Sequence, residues 1–172
     1  MKYGYIERER RFLLRALPSE LSLTNNFRRI RDRYFSETHL RLREITSPDG
    51  EVLDRKFAKK ETLTESANCK ITNLYLSELE YQLLFALGGL EICKRRYRYS
   101  IDEHVAAIDV FENALQGLIL AEVEFTSDEA MQQFQPPSLF EIEVTEDPFF
   151  RGGNLAKIEQ ETLQEALKTV FR

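Results

Sequence analysis

Glu7-Arg8-Glu9-Arg10-Arg11 lies within a run, Tyr3 to Leu14, whose composition reads as a β-strand. Successive side chains of a strand point to opposite faces, so Glu7, Glu9 and Arg11 share one face and the apolar Ile6, Phe12 and Leu14 the other. The two-residue beat returns in Leu40-Arg41-Leu42-Arg43, in Lys94-Arg95-Arg96 and in Glu122-Val123-Glu124. It aligns Arg41 with Arg43, Lys94 with Arg96, and Glu122 with Glu124. A sheet surface built from these strands carries carboxylates in some rows and cations in others. A polyphosphate bound through a divalent metal needs both, cations for its oxygens and carboxylates for the metal.

A single alternating strand ordinarily turns apolar side chains to the core and charge to water. Several such strands together permit the reverse. Opposite the charged rows lie Leu40 and Leu42, Ile108 and Val110, and Val123 and Phe125. If helices carrying Leu79 and Leu163 cover these apolar faces from outside, the charge turns inward and lines a lumen. About eight antiparallel strands suffice to close a barrel, and closure removes exposed edges. Such a lumen must be wet and hold ligands or counterions, because that much like charge left dry and unpaired is very costly.

The bulk composition fits this scheme. At 172 residues and 20.2 kDa the chain is expected to form a single domain spanning 1–172, large enough for a real core. A formal net charge of -5 argues against a general binder of nucleic-acid duplexes, which usually shows a basic excess, so the arginine clusters need a local explanation. Cys69 and Cys93 are far apart, without metal-ligand spacing and with no secretory signal ahead of them, which points to thiols in a reducing cytoplasm. No apolar run approaches the roughly 20 residues that cross a bilayer, so no membrane partner is expected.

Along the chain, strands are expected at Phe27 to Phe35, His39 to Ile45, Val52 to Lys59, Lys70 to Leu76, Leu90 to Tyr99, Val105 to Phe111 and Leu118 to Phe125. Ser47-Pro48-Asp49-Gly50 is a hairpin turn, with Pro presetting its dihedral and Asp-Gly tolerating tight backbone angles. Ser77 with Glu80 opens a helix as a capping box, its buried face supplied by Leu79, Leu83, Leu84 and Leu87, and Gly88-Gly89 ends it. Ser127 opens a short helix that Pro136-Pro137 stops. Ile158, Leu163, Ala166, Leu167 and Val170 make a helical stripe in the last segment. The expected class is α+β, a closed eight-stranded antiparallel β-barrel with covering helices. His39 and His104 have no partner at metal spacing and default to surface or core.

Taken in order, these strands resemble the CYTH superfamily, also called triphosphate tunnel metalloenzymes. Glu7-Arg8-Glu9-Arg10-Arg11 is similar to its Glu-x-Glu-x-Lys hallmark, Arg41-Leu42-Arg43 to its Arg-x-Arg strand and Lys94-Arg95-Arg96-Tyr97 to its Lys-x-Arg-Tyr. Ile108-Asp109-Val110-Phe111 and Gly117 to Phe125 extend the likeness nearly end to end. The resemblance implies a tunnel that binds a triphosphate with Mg²⁺ or Mn²⁺ and hydrolyses inorganic triphosphate or a triphosphate-bearing small molecule. It implies metal ligation by Glu7, Glu9, Asp109, Glu122 and Glu124, with Glu122, Glu124 and Arg11 in catalysis. Arg41, Arg43, Lys59, Lys94, Arg96 and Arg151 would grip phosphate, with Lys56 and Lys60 as register alternatives to Lys59. Exposed helices could pair two copies into a homodimer.

The chain departs from the family in three places. Arg11 stands for the hallmark lysine, keeping the charge without being able to shed its proton. The fifth strand reads Ile71-Thr72-Asn73 where members commonly carry a third acidic pair, and Arg31 and Arg33 add cations that would shift the lumen toward positive. These differences set a second reading beside the enzyme, a non-catalytic polyphosphate or nucleotide-binding module with a partly lost metal set. The adenylyl cyclase branch fits less well, because its His-Phe pair ahead of the hallmark is absent. Tyr34 and Phe149 could stack on a thiamine derivative but read first as core.

Overall fold

The computed structural model describes residues 4–62 and 68–172. The loop Ser47–Gly50 forms the expected turn: the Gly50 amide donates to the Ser47 carbonyl at 3.1 Å and Gly50 takes a φ of +90°, which suits glycine. It joins β3 (Leu40–Thr46) to β4 (Val52–Thr62), and similar alternation builds β1 (Gly4–Leu13), β2 (Phe27–Tyr34) and β5 (Asn68–Tyr75). The second half supplies β6 (Leu90–Ile101), β7 (His104–Phe111) and β8 (Ile119–Glu124), with a two-residue β9 (Ile142–Glu143). Among the described residues five α-helices accompany the strands: α1 (Ser19–Ser22), α2 (Glu78–Phe85), α3 (Asp128–Gln133), α4 (Gly152–Leu155) and α5 (Gln160–Val170).

Every strand pairing is antiparallel, in the order β5-β4-β3-β2-β6-β7-β8-β1, and β1 returns to β5 to close an eight-stranded barrel. β1 makes the closure in two halves. Gly4 to Arg8 pair with β5, while Glu9 to Leu13 pair with β8, and β9 takes the edge beside Phe12 and Leu13.

Two apolar clusters flank the charged space. Outside the barrel, Phe12, Ile108, Ala121, Val123 and Phe125 lie under Phe134 and Phe140 from the α3 region. His104 joins this cluster edge-on to Phe125 and Phe134, a packing role. At one end, inward-facing Leu13, Ile92, Phe111 and Leu120 meet Phe150, Leu155 and the fully buried Leu163 of α5. This plug shuts one end of the lumen.

The capping box on α2 is present, the Ser77 hydroxyl accepting from the Glu80 amide while the Glu80 carboxylate accepts from the Ser77 amide. Its buried face is a different one from that expected. Leu79, Leu83 and Leu87 are 70%, 64% and 71% exposed, whereas Tyr81 is buried and stacks on Phe85. The sheet beneath presents Arg31, Arg33 and Arg55, whose guanidiniums lie over those two rings, so aromatic faces win the interface from the leucines. Among the described residues no helix is long and apolar enough to cross a membrane.

Candidate functional site

Strand parity decides which charges enter the barrel. From β1, Glu7, Glu9 and Arg11 face a central cavity of about 320 Å³; from β8, Glu122 and Glu124; from β3, Arg41 and Arg43; from β6, Lys94 and Arg96. β2 adds Arg28, Asp32 and Tyr34, β4 adds Lys56 and Lys60, and β5 adds Cys69, Ile71 and Asn73. Arg151 and Gly152 border the cavity at the plugged end.

The cations on β3 and β6 are held by two buried carboxylates, Asp32 on β2 and Asp109 on β7. Asp32, 1% exposed, accepts from Arg43 Nε at 2.6 Å and Nη2 at 2.7 Å, and Arg41 Nε stands 3.7 Å away. Burial works against the Asp32 charge, yet Arg43 and Arg41 hold its carboxyl well below the usual carboxylate range. Asp109, with no exposed surface, accepts from Lys94 Nζ and from Arg96 Nε at 2.7 Å. Arg96 also donates to Glu122 at 2.7 Å. Arg41 lies beside the Tyr34 hydroxyl, while its Nε is buried without a hydrogen bond. An orphaned donor in a cationic cavity is what an absent anion would satisfy.

Between β1 and β8 the balance is reversed. Glu9 and Glu124 are direct cross-strand partners, as are Arg11 and Glu122. Burial first, then Glu122, pushes the Glu9 carboxyl up; burial and then Glu9 and Glu122 do the same to Glu124. Glu122 goes the other way, because Arg96 and Lys94 outweigh its burial. Lys60 extends its ammonium to Glu7 and, at 3.0 Å, to Glu9. Like-charged carboxylates left in mutual repulsion are a hard-cation donor set in type. As placed, they turn toward Lys60 and Arg96, and no three acidic, histidine or cysteine groups among the described residues converge to cage a metal.

A glycine shapes the plugged end. A Cβ at Gly152 would stand 2.1 Å from the Tyr34 hydroxyl oxygen, so only glycine lets Tyr34 reach Arg41 beneath α4. Arg28 and Arg151, bordering the cavity, make no ion pair with any described residue.

No model of a known protein family matches the chain. Relatives do. An inorganic triphosphatase of Nitrosomonas europaea is 39% identical over 79 residues, 45% of this chain and 52% of that protein, so the match spans about half the relative's length. An inorganic triphosphatase of Acetivibrio thermocellus is 29% identical over 120 residues, 63% of this chain and 73% of that one. A solved inorganic triphosphatase superposes with a TM-score of 0.58 at 26% identity, covering 87% of this chain and 93% of that chain. A solved Bacillus halodurans protein shares the fold at TM-score 0.55 and 20% identity, covering 98% and 91%. These likenesses fit the CYTH, or triphosphate tunnel, family, whose barrel fold the chain shares.

Within this barrel, most of the residues singled out from sequence face one cavity: Glu7, Glu9, Arg11, Arg41, Arg43, Lys94, Arg96, Glu122, Glu124 and Arg151. Lys59 does not. It is 51% exposed on the outer face, paired with Glu61 at 2.8 Å, and Lys60 holds the inward place because β4 pairs with β3 so that Leu40 opposes Lys59. Arg31 and Arg33 also point outward, both onto Glu91, and add nothing to the lumen. The inward residue of that strand is Asp32, which makes the lumen less positive than the sequence implied.

Asp109 is enclosed by Lys94 and Arg96, so it positions cations and offers no open oxygen to a metal. Arg11 spends its guanidinium on carbonyls, donating to Thr145 at 2.7 Å and Phe150 at 3.1 Å, and its Nε remains buried without a partner. Sequence reading missed Asp32 and Arg28, and took Tyr34 first as core although it lines the cavity. The signal was there: Asp32 is two residues from both Ile30 and Tyr34, and Arg31 and Arg33, read first for their charge, masked that parity.

Proposed function

We propose that this protein is a metal-dependent triphosphatase acting on inorganic triphosphate or a small triphosphate-bearing molecule. The observation that carries the reading is a central cavity with aspartate-positioned cations on one wall and repelling carboxylates on another. Names of relatives at modest identity agree with it.

Arg41, Arg43, Lys94 and Arg96 would seat the phosphate oxygens; arginine offers paired donors and keeps its charge at any working pH. Asp32 and Asp109 fix these cations before ligand arrives, so little reorganisation accompanies binding. Glu9, Glu122 and Glu124 would hold Mg²⁺ or Mn²⁺, and Glu7 would serve as their neighbour once Lys60 shifts. The donor chemistry fits, since carboxylate oxygens suit hard divalent ions. Bound there, the metal would supply charge neutralisation on the transferred phosphoryl group. Glu122 and Glu124 orient a water toward the terminal phosphorus. Its oxygen forms the new P–O bond, the bridging P–O bond breaks, and diphosphate leaves with the bridging oxygen as the water's proton passes to solvent. Arg96, touching both Asp109 and Glu122, stands between the phosphate seat and the acidic corner.

One observation favours the alternative, a polyphosphate-binding module without turnover. Ile71, 3% exposed, lines the cavity on β5 beside Asn73, whose Oδ1 is buried with no hydrogen bond, so that wall brings no carboxylate. Phosphate release from inorganic triphosphate, ATP and thiamine triphosphate, each with Mg²⁺ and with Mn²⁺, separates the two. Metal-dependent release, strongest with inorganic triphosphate, is the expected result. Tripolyphosphate binding with silence across the panel would overturn the enzyme and leave the module.

A further inference from the structure

At the end of the barrel opposite the plug, a recess of about 360 Å³ opens between the rims of β2 and β8. It shares Arg28, Arg96, Glu122 and Glu124 with the central cavity, so the recess leads into the lumen. Arg28 and Arg98 are exposed there and make no ion pair with any described residue. The other inward cations of β3, β4 and β6 each have a carboxylate beside them, down to Lys56 on Asp54 at 2.8 Å. Register sets the two unpaired arginines side by side: Arg28 is the cross-strand partner of Arg96, and Arg98 lies two residues nearer the rim on the same face.

Adjacent like charges without a counter-charge build a local positive field, and the low-dielectric walls of a recess concentrate it. The rest of the lining narrows the occupant. Val105, Ala106 and Ala107 are small and apolar, giving room without a competing polar side chain. The Phe27 ring is engaged, tilted against Tyr97 with centroids 5.6 Å apart and with the Arg95 guanidinium 5.8 Å from its own centroid. Asn26 adds one neutral amide at the edge. Glu122 is already bound by Arg96, and Glu124 stands on β8, with β7 between it and the strands of the two arginines. The β2–β6 side of the mouth is therefore cationic and open, which suits a compact inorganic anion.

We propose that this recess is a capture site, in which Arg28 and Arg98 hold an arriving triphosphate before it moves in to Arg96 and the seat beyond. The proposal rests on the triphosphatase reading of the central cavity and adds how its ligand is admitted. A rim charge attracts the arriving and the seated anion alike, so its loss shows in the association rate and its salt dependence, and not in dissociation.

Phosphorus NMR exchange of tripolyphosphate, combined with calorimetric affinity, yields both rate constants, and omitting divalent metal keeps turnover out. Arg98→Glu should slow association about tenfold at low ionic strength, within the range of electrostatic steering, and change dissociation less than about twofold. Near 1 M salt, where the Debye length falls to about 3 Å, the difference should vanish. Arg98→Lys keeps the charge and should match the wild type. Arg29→Glu makes the same change of charge on the next residue of β2, which is exposed and faces out of the barrel, and should slow association less than about twofold. Wild-type association in Arg98→Glu would overturn the proposal, as would a slow Arg98→Lys. So would a loss carried by faster dissociation, which would make Arg98 part of the final seat, or one equalled by Arg29→Glu, which would mean the field of the whole surface. Metal-dependent phosphate release from tripolyphosphate by the same samples judges the triphosphatase reading separately, since its absence leaves the association rates intact.

Discussion

The wall formed by β2, β3 and β6 and the corner between β1 and β8 carry comparable densities of charge and treat it in opposite ways. In the wall, each pair of cations shares one buried aspartate, Asp32 or, from the neighbouring β7, Asp109, so the donors are positioned within the protein while the wall stays net positive. In the corner, Glu9 and Glu124 face each other across the strands, and the compensating cations, Lys60 on Glu9 and Arg96 on Glu122, are borrowed from elsewhere. The wall is positioned without a ligand, with the Arg41 Nε donor left over for an anion. The corner is relieved by a further cation, and in that sense anion seat and metal seat differ in how much of their organisation folding alone supplies.

The largest effect should come from breaking the wall. Asp32→Asn leaves Arg43 and Arg41 charged and uncompensated, which costs roughly 3–5 kcal/mol by the usual penalty for removing one member of a buried pair. A fall in the urea midpoint at unchanged m-value is the expected reading. The sign with pH follows from the depressed Asp32 carboxyl: its stabilisation is present above the ordinary aspartate range and lost as pH falls toward its folded value, so wild type and variant converge in acid. Convergence at neutral pH instead would mean the wall is not pre-paired.

Next in size, Glu122→Gln combined with Glu124→Gln should lower metal-dependent phosphate release by about 100-fold or more while tripolyphosphate binding persists in part. Unchanged turnover would remove the corner from the chemistry. Arg41→Ala with Arg43→Ala should act on the other side of the comparison, weakening tripolyphosphate affinity by roughly tenfold or more by titration, the scale of lost charge-assisted hydrogen bonds.

The smallest effect sharpens the contrast. Glu124→Gln should stabilise the protein by a few tenths of a kcal/mol at neutral pH, a modest figure because the side chain is partly open to solvent and screened. Burial, Glu9 and Glu122 raise the Glu124 carboxyl, so its ionisation opposes folding as pH climbs through and above the ordinary carboxylate range. The gain in melting temperature should therefore appear at neutral pH and vanish in acid.

The barrel was legible because its strands repeat one parity over many residues, and a one-residue slip would have turned every charge outward. Glu7 with Glu9, Arg41 with Arg43, and Glu122 with Glu124 are two apart and announce their shared face. Lys59 and Lys60 are adjacent, so composition could not choose between them; the choice belongs to the β3–β4 register, which the turn at Ser47–Gly50 and a bulge near Ile45 set together. Asp32 was hidden because a lone carboxylate between two arginines looks like the solvated partner of its neighbours. The α2 leucines misled for a related reason: helical spacing names a stripe, while the rings and guanidiniums on the opposing sheet decided which stripe is covered.

The divided pairing of β1 has a bearing on how the chain reaches its native state. β1 precedes all its partners in the sequence, yet it is sealed by β5 along one half and by β8 and β9 along the other. Closure is thus the contact of greatest sequence separation, and topologies dominated by such contacts fold slowly. Until β8 is made, β1 is an amphipathic ribbon without its final neighbours, the kind of segment on which a nascent chain is vulnerable to mispairing.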